Sequence, residues 1–230
     1  MSPQLFGIEH ILYIIISTIV GGGIVFCAKR YCKDEKSQGV VIKALALALF
    51  ISILANRLSQ VFRYDTVRWY CIIPDSFCGM TSLVLSLGVL FGKKNNAVLH
   101  FTWLLGLFGG VSTVIYATFV DQNESFFYLP TISGLLHHSF SATLVIALLM
   151  FKQIDITYKK WYCTVFGFTA YLTVGAFLMH TFKLNDAFHI AEPLLSDTSL
   201  TAWVMAPMYL GAYAIILFII ELARKKHLIK

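Results

Sequence analysis

Residues 8–28, with the sequence IEHILYIIISTIVGGGIVFCA, decide the fold class, because this apolar run is long enough to cross a membrane. A helix needs about 20 apolar residues to span the hydrocarbon core of a bilayer. Six further runs follow the first along the chain. They cover residues 41–61, 77–91, 98–119, 129–150, 163–181 and 202–222. The third run is short, and residues 71–74 could extend it.

The composition agrees with a membrane protein. Apolar residues make up 58% of the chain and charged residues only 13%, whereas a soluble domain carries about 25% charged residues. The apolar runs are continuous, while the strands of a membrane barrel alternate apolar and polar residues. We therefore predict an all-α bundle of seven transmembrane helices, with residues 1–230 forming one domain. No basic residue precedes the first run, so we expect it to be retained and not cleaved as a signal.

The distribution of basic residues predicts the orientation. Fourteen of the 18 lysines and arginines fall on one side of the predicted membrane: Lys29, Arg30, Lys33, Lys36, Lys43, Lys93, Lys94, Lys152, Lys159, Lys160, Arg224, Lys225, Lys226 and Lys230. By the positive-inside rule, the N-terminus lies outside and the C-terminus inside. We expect a multi-pass protein of the cell membrane whose basic charge contacts lipid headgroups and not nucleic acid.

Polar residues recur at the outer ends of the predicted helices. They are His10, Asn56, Arg57, Gln60, Cys78, His137, His138, His180, Asn185 and Asp186. An ionisable residue inside a membrane costs about 2.5–3.5 kcal/mol, so several at one depth predict a shared polar cavity. We expect few comparable residues in the inner halves, where Glu221 is the main exception.

Two members of this layer could perform covalent chemistry. A cysteine thiol becomes a nucleophile when a base or a positive field favours its thiolate. His138 lies deep enough to need a partner or a hydrated cavity, whereas His137 points about 100° away on the same helix and is the weaker candidate. Arg57 could add positive field, and Asn185 could donate to an oxyanion or orient the histidine.

Simpler readings of the same residues remain open. His10 and His180 are near enough to the surface to be hydrated there, and Arg57 could extend to the headgroups. A Cys71–Cys78 disulfide is compatible with the predicted layout. The histidines could bind a metal, but they include no i,i+4 pair and the cysteines have no zinc spacing, so we predict no metal and no cofactor. The glycines of the first and fourth runs are predicted to pack helices closely, and Pro207 to kink the seventh.

The order of short motifs resembles the YwaF-like bacterial integral membrane family, whose animal relatives are transmembrane phospholipid acyltransferases. The segments that carry the resemblance are FGIEH at 6–10, IPDSFC at 73–78, WLLGLFGG at 103–110, ISGLLHH at 132–138, LNDAF at 184–188 and PMY at 207–209. In those relatives a cysteine is thought to carry the acyl group and a histidine to act as base. The resemblance implies these roles for Cys78 and His138. Ser76 and Asp186 stand where the family has histidine and tyrosine.

We therefore predict a lipid acyltransferase or acyl hydrolase acting on a membrane phospholipid or lysophospholipid. Cys78 and His138 are its predicted catalytic residues, and His10, Arg57, His180 and Asn185 are predicted to bind the substrate. Two other functions remain open. One is the binding or transport of a small solute, with Arg57 recognising an anion. The other is a non-catalytic membrane partner subunit.

Overall fold

The computed structural model describes residues 5–63, 65–117, 125–195 and 197–226, and within these ranges the protein is all-helical. The predicted end of the fourth run at Phe119 and the basic Lys230 lie outside the described residues. The described α-helices are α1 (Ile8–Tyr31), α2 (Glu35–Val61), α3 (Phe77–Leu90), α4 (Ala97–Ile115), α5 (Leu129–Met150), α6 (Tyr162–Phe182) and α7 (Ala202–Lys225). Short 3-10 turns cover Trp69–Ile72 and Tyr158–Lys160.

Six of these helices are long and apolar enough to cross a membrane, and α3 is shorter. Its 14 residues extend for about 21 Å, less than the roughly 30 Å of hydrocarbon in a bilayer. The residues ahead of it do not lengthen it as an α-helix, because Trp69–Ile72 form a 3-10 turn and Pro74 follows. Ser76 then begins the helix as its N-cap.

Helix α5 lies at the centre of the bundle, where it packs against α1, α2, α3 and α4. Its sequence explains this position, since it carries the largest set of buried polar side chains. These are Thr131, Ser133, His137, His138, Ser141 and Thr143. Lipid chains offer no hydrogen bonds, so polar side chains are more stable in contact with other helices. By contrast, α1 and α7 are mostly exposed and present apolar residues outward.

Glycines allow α4 and α5 to approach closely. A Cβ atom built at Gly110 would lie 2.7 Å from the backbone oxygen of His138, and one at Gly106 would lie 2.9 Å from Ser141 Oγ. The Ser141 hydroxyl donates to the Gly106 carbonyl across this contact at 3.2 Å. These glycines therefore have the packing role that the sequence predicts. In α1 only Gly21 faces another helix, while Gly22 and Gly23 face open space.

Asn95 joins the loops at one end of the bundle. Its backbone nitrogen donates to the Gln153 carbonyl at 2.9 Å, and its own carbonyl accepts from Lys160 Nζ at 2.8 Å. Its side-chain oxygen accepts from the Asp155 amide at 3.0 Å and contacts His100 Nε2 at 2.7 Å. The backbone of Asn95 is left-handed, with φ at 58°, a conformation that asparagine tolerates better than most residues. The loop before α4 is thereby tied to the loop before α6.

Two ion pairs extend this junction to the remaining segments of the same end. Lys94 Nζ lies 2.9 Å from Glu35 Oε1 at the start of α2, and Arg224 in the last turn of α7 lies 2.6 Å from Asp155. The loops that carry most of the basic residues therefore meet at one end of the bundle, as the charge count predicts. The N-terminus of α1 and the polar residues near Cys78 lie at the other end.

We expect Gly110→Ala to lower the stability of the bundle by about 1–3 kcal/mol, because the new methyl group would be forced into the backbone of α5. The thermal unfolding midpoint of the purified protein in detergent micelles measures this loss. Gly22→Ala is the matched control, since nothing lies within 4 Å of the atom it would add. Equal midpoints for the two variants would contradict the close contact of α4 and α5.

Candidate active site

Cys78 lies in the first turn of α3, two residues after the Ser76 N-cap. The Ser76 hydroxyl accepts a hydrogen bond from the Gly79 amide at 3.2 Å, which orients the turn. The residue as a whole is half-buried, and its thiol forms a hydrogen bond with Thr113 of α4. A Cβ atom at Gly109 would lie 3.1 Å from Cys78 Sγ. The sulfur atom is therefore in close contact with the α4 backbone at Gly109, which has no side chain.

His138, on α5, contacts the same residue of α4, Gly109. Its side chain is buried, and its ring forms a hydrogen bond with the Gly109 backbone carbonyl. Within the described residues, the hydrogen bond of the thiol goes to Thr113 and not to His138. The structure thus brings the two predicted catalytic residues to one glycine, without a direct hydrogen bond between them.

His137 lies beside His138 and has its own partner on α3. Its Nδ1 atom is 3.0 Å from Ser82 Oγ, and both side chains are buried. The two histidine rings are nearly face to face, with centroids 4.1 Å apart and planes inclined by 33°. Ser82 follows Cys78 by one helical turn, so both lie on the same side of α3. From the sequence, His137 is the weaker candidate for the catalytic base, and Ser82 is not predicted to take part.

Arg57 is held in a network that joins α2, α5 and the segment before α3. Its Nη1 atom lies 3.1 Å from Asp75 Oδ1, and its Nη2 atom donates to Asn56 Oδ1 at 3.1 Å. The Asn56 amide donates in turn to the Pro130 carbonyl and to Ser133 Oγ on α5, at 3.1 and 3.3 Å. The Arg57 side chain is 15% exposed, whereas that of Asp75 is 51% exposed. One partner of the arginine is thus within reach of the surface.

The other predicted binding residues occupy different surroundings. His10 is buried, accepts from the Phe6 amide through Nδ1 at 3.0 Å, and therefore donates through Nε2 to the Val114 carbonyl at 2.9 Å. The Nε2 atom thus joins α1 to the end of α4, and Nδ1 binds the segment that precedes α1. His180 and Asn185 are exposed, the first near the end of α6 and the second just beyond it.

Asp186 organises the loop between α6 and α7. Its carboxylate accepts hydrogen bonds from three backbone amides of the following residues, namely those of His189, Ala191 and Glu192, at 3.1, 2.8 and 3.3 Å. A short side chain of this kind fixes a turn by replacing a backbone acceptor. Asp186 therefore has a set of structural partners within this loop.

Phe188 anchors that loop over the start of α3. Its amide donates to the Asp75 carbonyl at 2.7 Å, and its side chain is only 1% exposed. The ring contacts Phe77 and Tyr171, with centroid distances of 5.4 and 5.6 Å. Its φ of 56° is unusual for a bulky residue, and such strain persists only where surrounding contacts enforce it.

The remaining cysteines and histidines do not join this cluster. Cys71 lies in the 3-10 turn before α3 and is a free thiol, as is Cys78. Burial, followed by the nearby Asp75 carboxylate, raises the pKa of the Cys71 thiol. His100 is buried at the opposite end of the bundle, in contact with Asn95. His100 is thus a further exception, beside Glu221, to the expectation that few such residues lie at that end.

Comparison with known proteins gives one match. The sequence model of the TMEM164 family matches residues 5–223, which is nearly the whole chain. No curated protein and no solved structure matches.

We expect Ser76→Ala to destabilise the protein by about 1 kcal/mol, because the Gly79 amide would lose its acceptor at the N-terminus of α3. The thermal unfolding midpoint in detergent gives the effect. Thr201→Ala is the control, since Thr201 is the N-cap of α7 but its side chain makes no capping hydrogen bond. A midpoint for Ser76→Ala as high as that of the control would show that Ser76 does not hold the turn that carries Cys78.

Proposed function

The chain belongs to the TMEM164 family of transmembrane proteins, and we propose that it is a lipid acyltransferase or acyl hydrolase with Cys78 as nucleophile and His138 as base. One observation carries this proposal: the Cys78 sulfur and the His138 ring contact the same residue, Gly109. The proposed chemistry requires the thiol to turn from Thr113 to the histidine. Catalytic hydrogen bonds are often long or misaligned before substrate binds.

The Gly109 carbonyl supports the proposed role of His138. A ring nitrogen that donates to a carbonyl must carry the hydrogen, so in the neutral ring the other nitrogen is free to accept a proton. The same carbonyl stabilises the imidazolium after proton transfer. In serine hydrolases an aspartate performs this orienting function.

The proposed reaction has two steps. In the first, His138 takes the thiol proton, and Cys78 Sγ forms a bond to the carbonyl carbon of a phospholipid ester. The ester C–O bond breaks, and the proton passes from His138 to the departing lysolipid oxygen. In the second, His138 takes a proton from a lysolipid hydroxyl or from water. That oxygen attacks the thioester carbonyl, the C–S bond breaks to release the new ester or the free fatty acid, and His138 returns the proton to the Cys78 sulfur.

The start of α3 supplies the electrostatic part of this scheme. The amides of Phe77 and Cys78 belong to the first turn of the helix, where backbone donors have no acceptor within the helix. The positive end of the helix dipole lies at the same place. We assign these two amides to the oxyanion that forms when the thiolate attacks the ester.

The polar residues around Cys78 receive binding and positioning roles in the same proposal. Arg57 is the group that recognises the lipid phosphate, since its partner Asp75 is half-exposed and the pair lies near the end of the bundle. His180 and Asn185 are exposed and contact the headgroup at the rim. His10 acts through its backbone hydrogen bonds, which hold α1 against α4.

The site requires a defined orientation in the membrane. We propose that all seven helices of a single domain span the cell membrane, with the N-terminus outside and Cys78 facing the outer leaflet. The gathering of the basic loops at the opposite end of the bundle supports this arrangement.

We expect Cys78→Ala to abolish acyl turnover, and His138→Asn to slow it by about 10²–10⁴-fold, the usual contribution of a general base. Proteoliposomes containing labelled phospholipid and lysophospholipid provide the assay, with products measured by mass spectrometry. The intact parent protein should gain one acyl mass located on Cys78.

The control for that experiment is Cys163→Ala, which removes a buried cysteine of α6 outside this site. Full activity of Cys78→Ala would overturn the covalent scheme. Uptake of a small solute without lipid turnover would instead favour transport, and a stoichiometric membrane partner without either activity would favour a subunit role.

We expect Asn185→Cys to react with a membrane-impermeant maleimide added to intact cells, and Lys33→Cys to react only after the membrane is permeabilised. Both changes are made in a variant without the five native cysteines. The expectation follows from the proposed orientation, in which the loop after α6 is outside and the loop after α1 is inside. The reverse labelling pattern would refute that orientation.

A further inference from the structure

We propose that Ser82 and His137 are positioning residues that hold the imidazole of His138 in its reactive orientation. This inference rests on the acyl-transfer function proposed above and adds a second histidine to it. It is carried by one hydrogen bond and one ring contact in the interior of the bundle.

The Ser82 hydroxyl is used in an unusual way for a serine inside a helix. Such a serine commonly donates to a carbonyl of its own preceding turn. Ser86, one turn further along α3, does so with the Leu83 carbonyl at 2.8 Å. Ser82 instead lies 3.0 Å from Nδ1 of His137 on another helix. The pair therefore fixes the rotation of the His137 ring relative to α3.

The His137 ring transmits this constraint to His138. With ring centroids 4.1 Å apart and planes inclined by 33°, the two imidazoles are in direct contact. This close packing prevents the His138 ring from turning away from Gly109. The two rings cannot both carry a positive charge at this separation without strong repulsion. His137 must therefore stay neutral when His138 accepts the thiol proton.

The groups that face the two histidines favour a neutral His137 and a His138 that accepts the proton. Arg57 of α2 interacts electrostatically with His137, so a second positive charge there would be repelled. Ser82 is the neutral partner that α3 supplies to the same ring. His138 meets the Gly109 carbonyl of α4, an acceptor that stabilises an imidazolium. Cys78 lies on the α3 side of this arrangement, and Tyr171 of α6 interacts with Cys78.

The test uses Ser82→Ala, Ser82→Thr and His137→Gln in the full-length protein, reconstituted in lipid nanodiscs. Cys27, Cys32, Cys71 and Cys163 are replaced, so Cys78 is the single thiol. Two quantities are measured between about pH 5 and pH 8, where histidine titrates. One is the rate of Cys78 alkylation by N-ethylmaleimide, which needs no lipid substrate. The other is the kcat and KM of acyl transfer.

We expect Ser82→Ala and His137→Gln to lower kcat by roughly ten- to a hundredfold, the range found for groups that orient metal-bound histidines. KM should stay unchanged, and the pH midpoint of alkylation should move relative to the parent. Ser82→Thr keeps the hydroxyl and should restore both quantities. Ser86→Ala is the matched control, because it removes a buried hydroxyl of the same helix that bonds only its own backbone.

The proposal is overturned if Ser82→Ala behaves like Ser86→Ala in both measurements. It is equally overturned if kcat falls, the alkylation profile does not move and threonine restores nothing, since a structural role would give that result. A parent protein that turns over no lipid would refute the acyl-transfer function. The alkylation profile would still decide whether Ser82 and His137 control His138.

Discussion

The structure depends on one constraint: a polar group inside the bilayer must find its partner within the bundle, because lipid chains supply none. This constraint places α5, the helix richest in buried polar side chains, at the centre of the fold. It also explains why Gly106 and Gly110 of α4 face α5. Two helices can exchange hydrogen bonds such as that from Ser141 to Gly106 only when their backbones approach closely.

The candidate active site is a product of the same close approach. Gly109 has no side chain, so the Cys78 sulfur and the His138 ring can both reach the α4 backbone. A larger residue there would press against the Cys78 sulfur. The catalytic geometry proposed for this protein therefore depends on the absence of a side chain at Gly109.

Much of the fold follows from the sequence, because the length and continuity of an apolar run are properties of one segment. The runs at 129–150 and 202–222 locate α5 and α7 well. The placement of Cys78 and His138 at the same end of the bundle also follows, since each lies in the N-terminal half of its helix. The partners do not follow, because pairing depends on how each helix is rotated toward its neighbours. The sequence therefore does not identify the partners of His137, Arg57 and His100, which are Ser82, Asp75 and Asn95, respectively.

Asp75 contacts two different segments, one through its side chain and the other through its backbone. Its carboxylate holds the Arg57 guanidinium, and its backbone carbonyl holds the Phe188 amide of the loop between α6 and α7. The ion pair and the backbone hydrogen bond are therefore both made by the same residue. Through Asp75, the charged group of α2 is thus connected to Phe188, more than a hundred positions further along the chain, and to the loop that covers the start of α3.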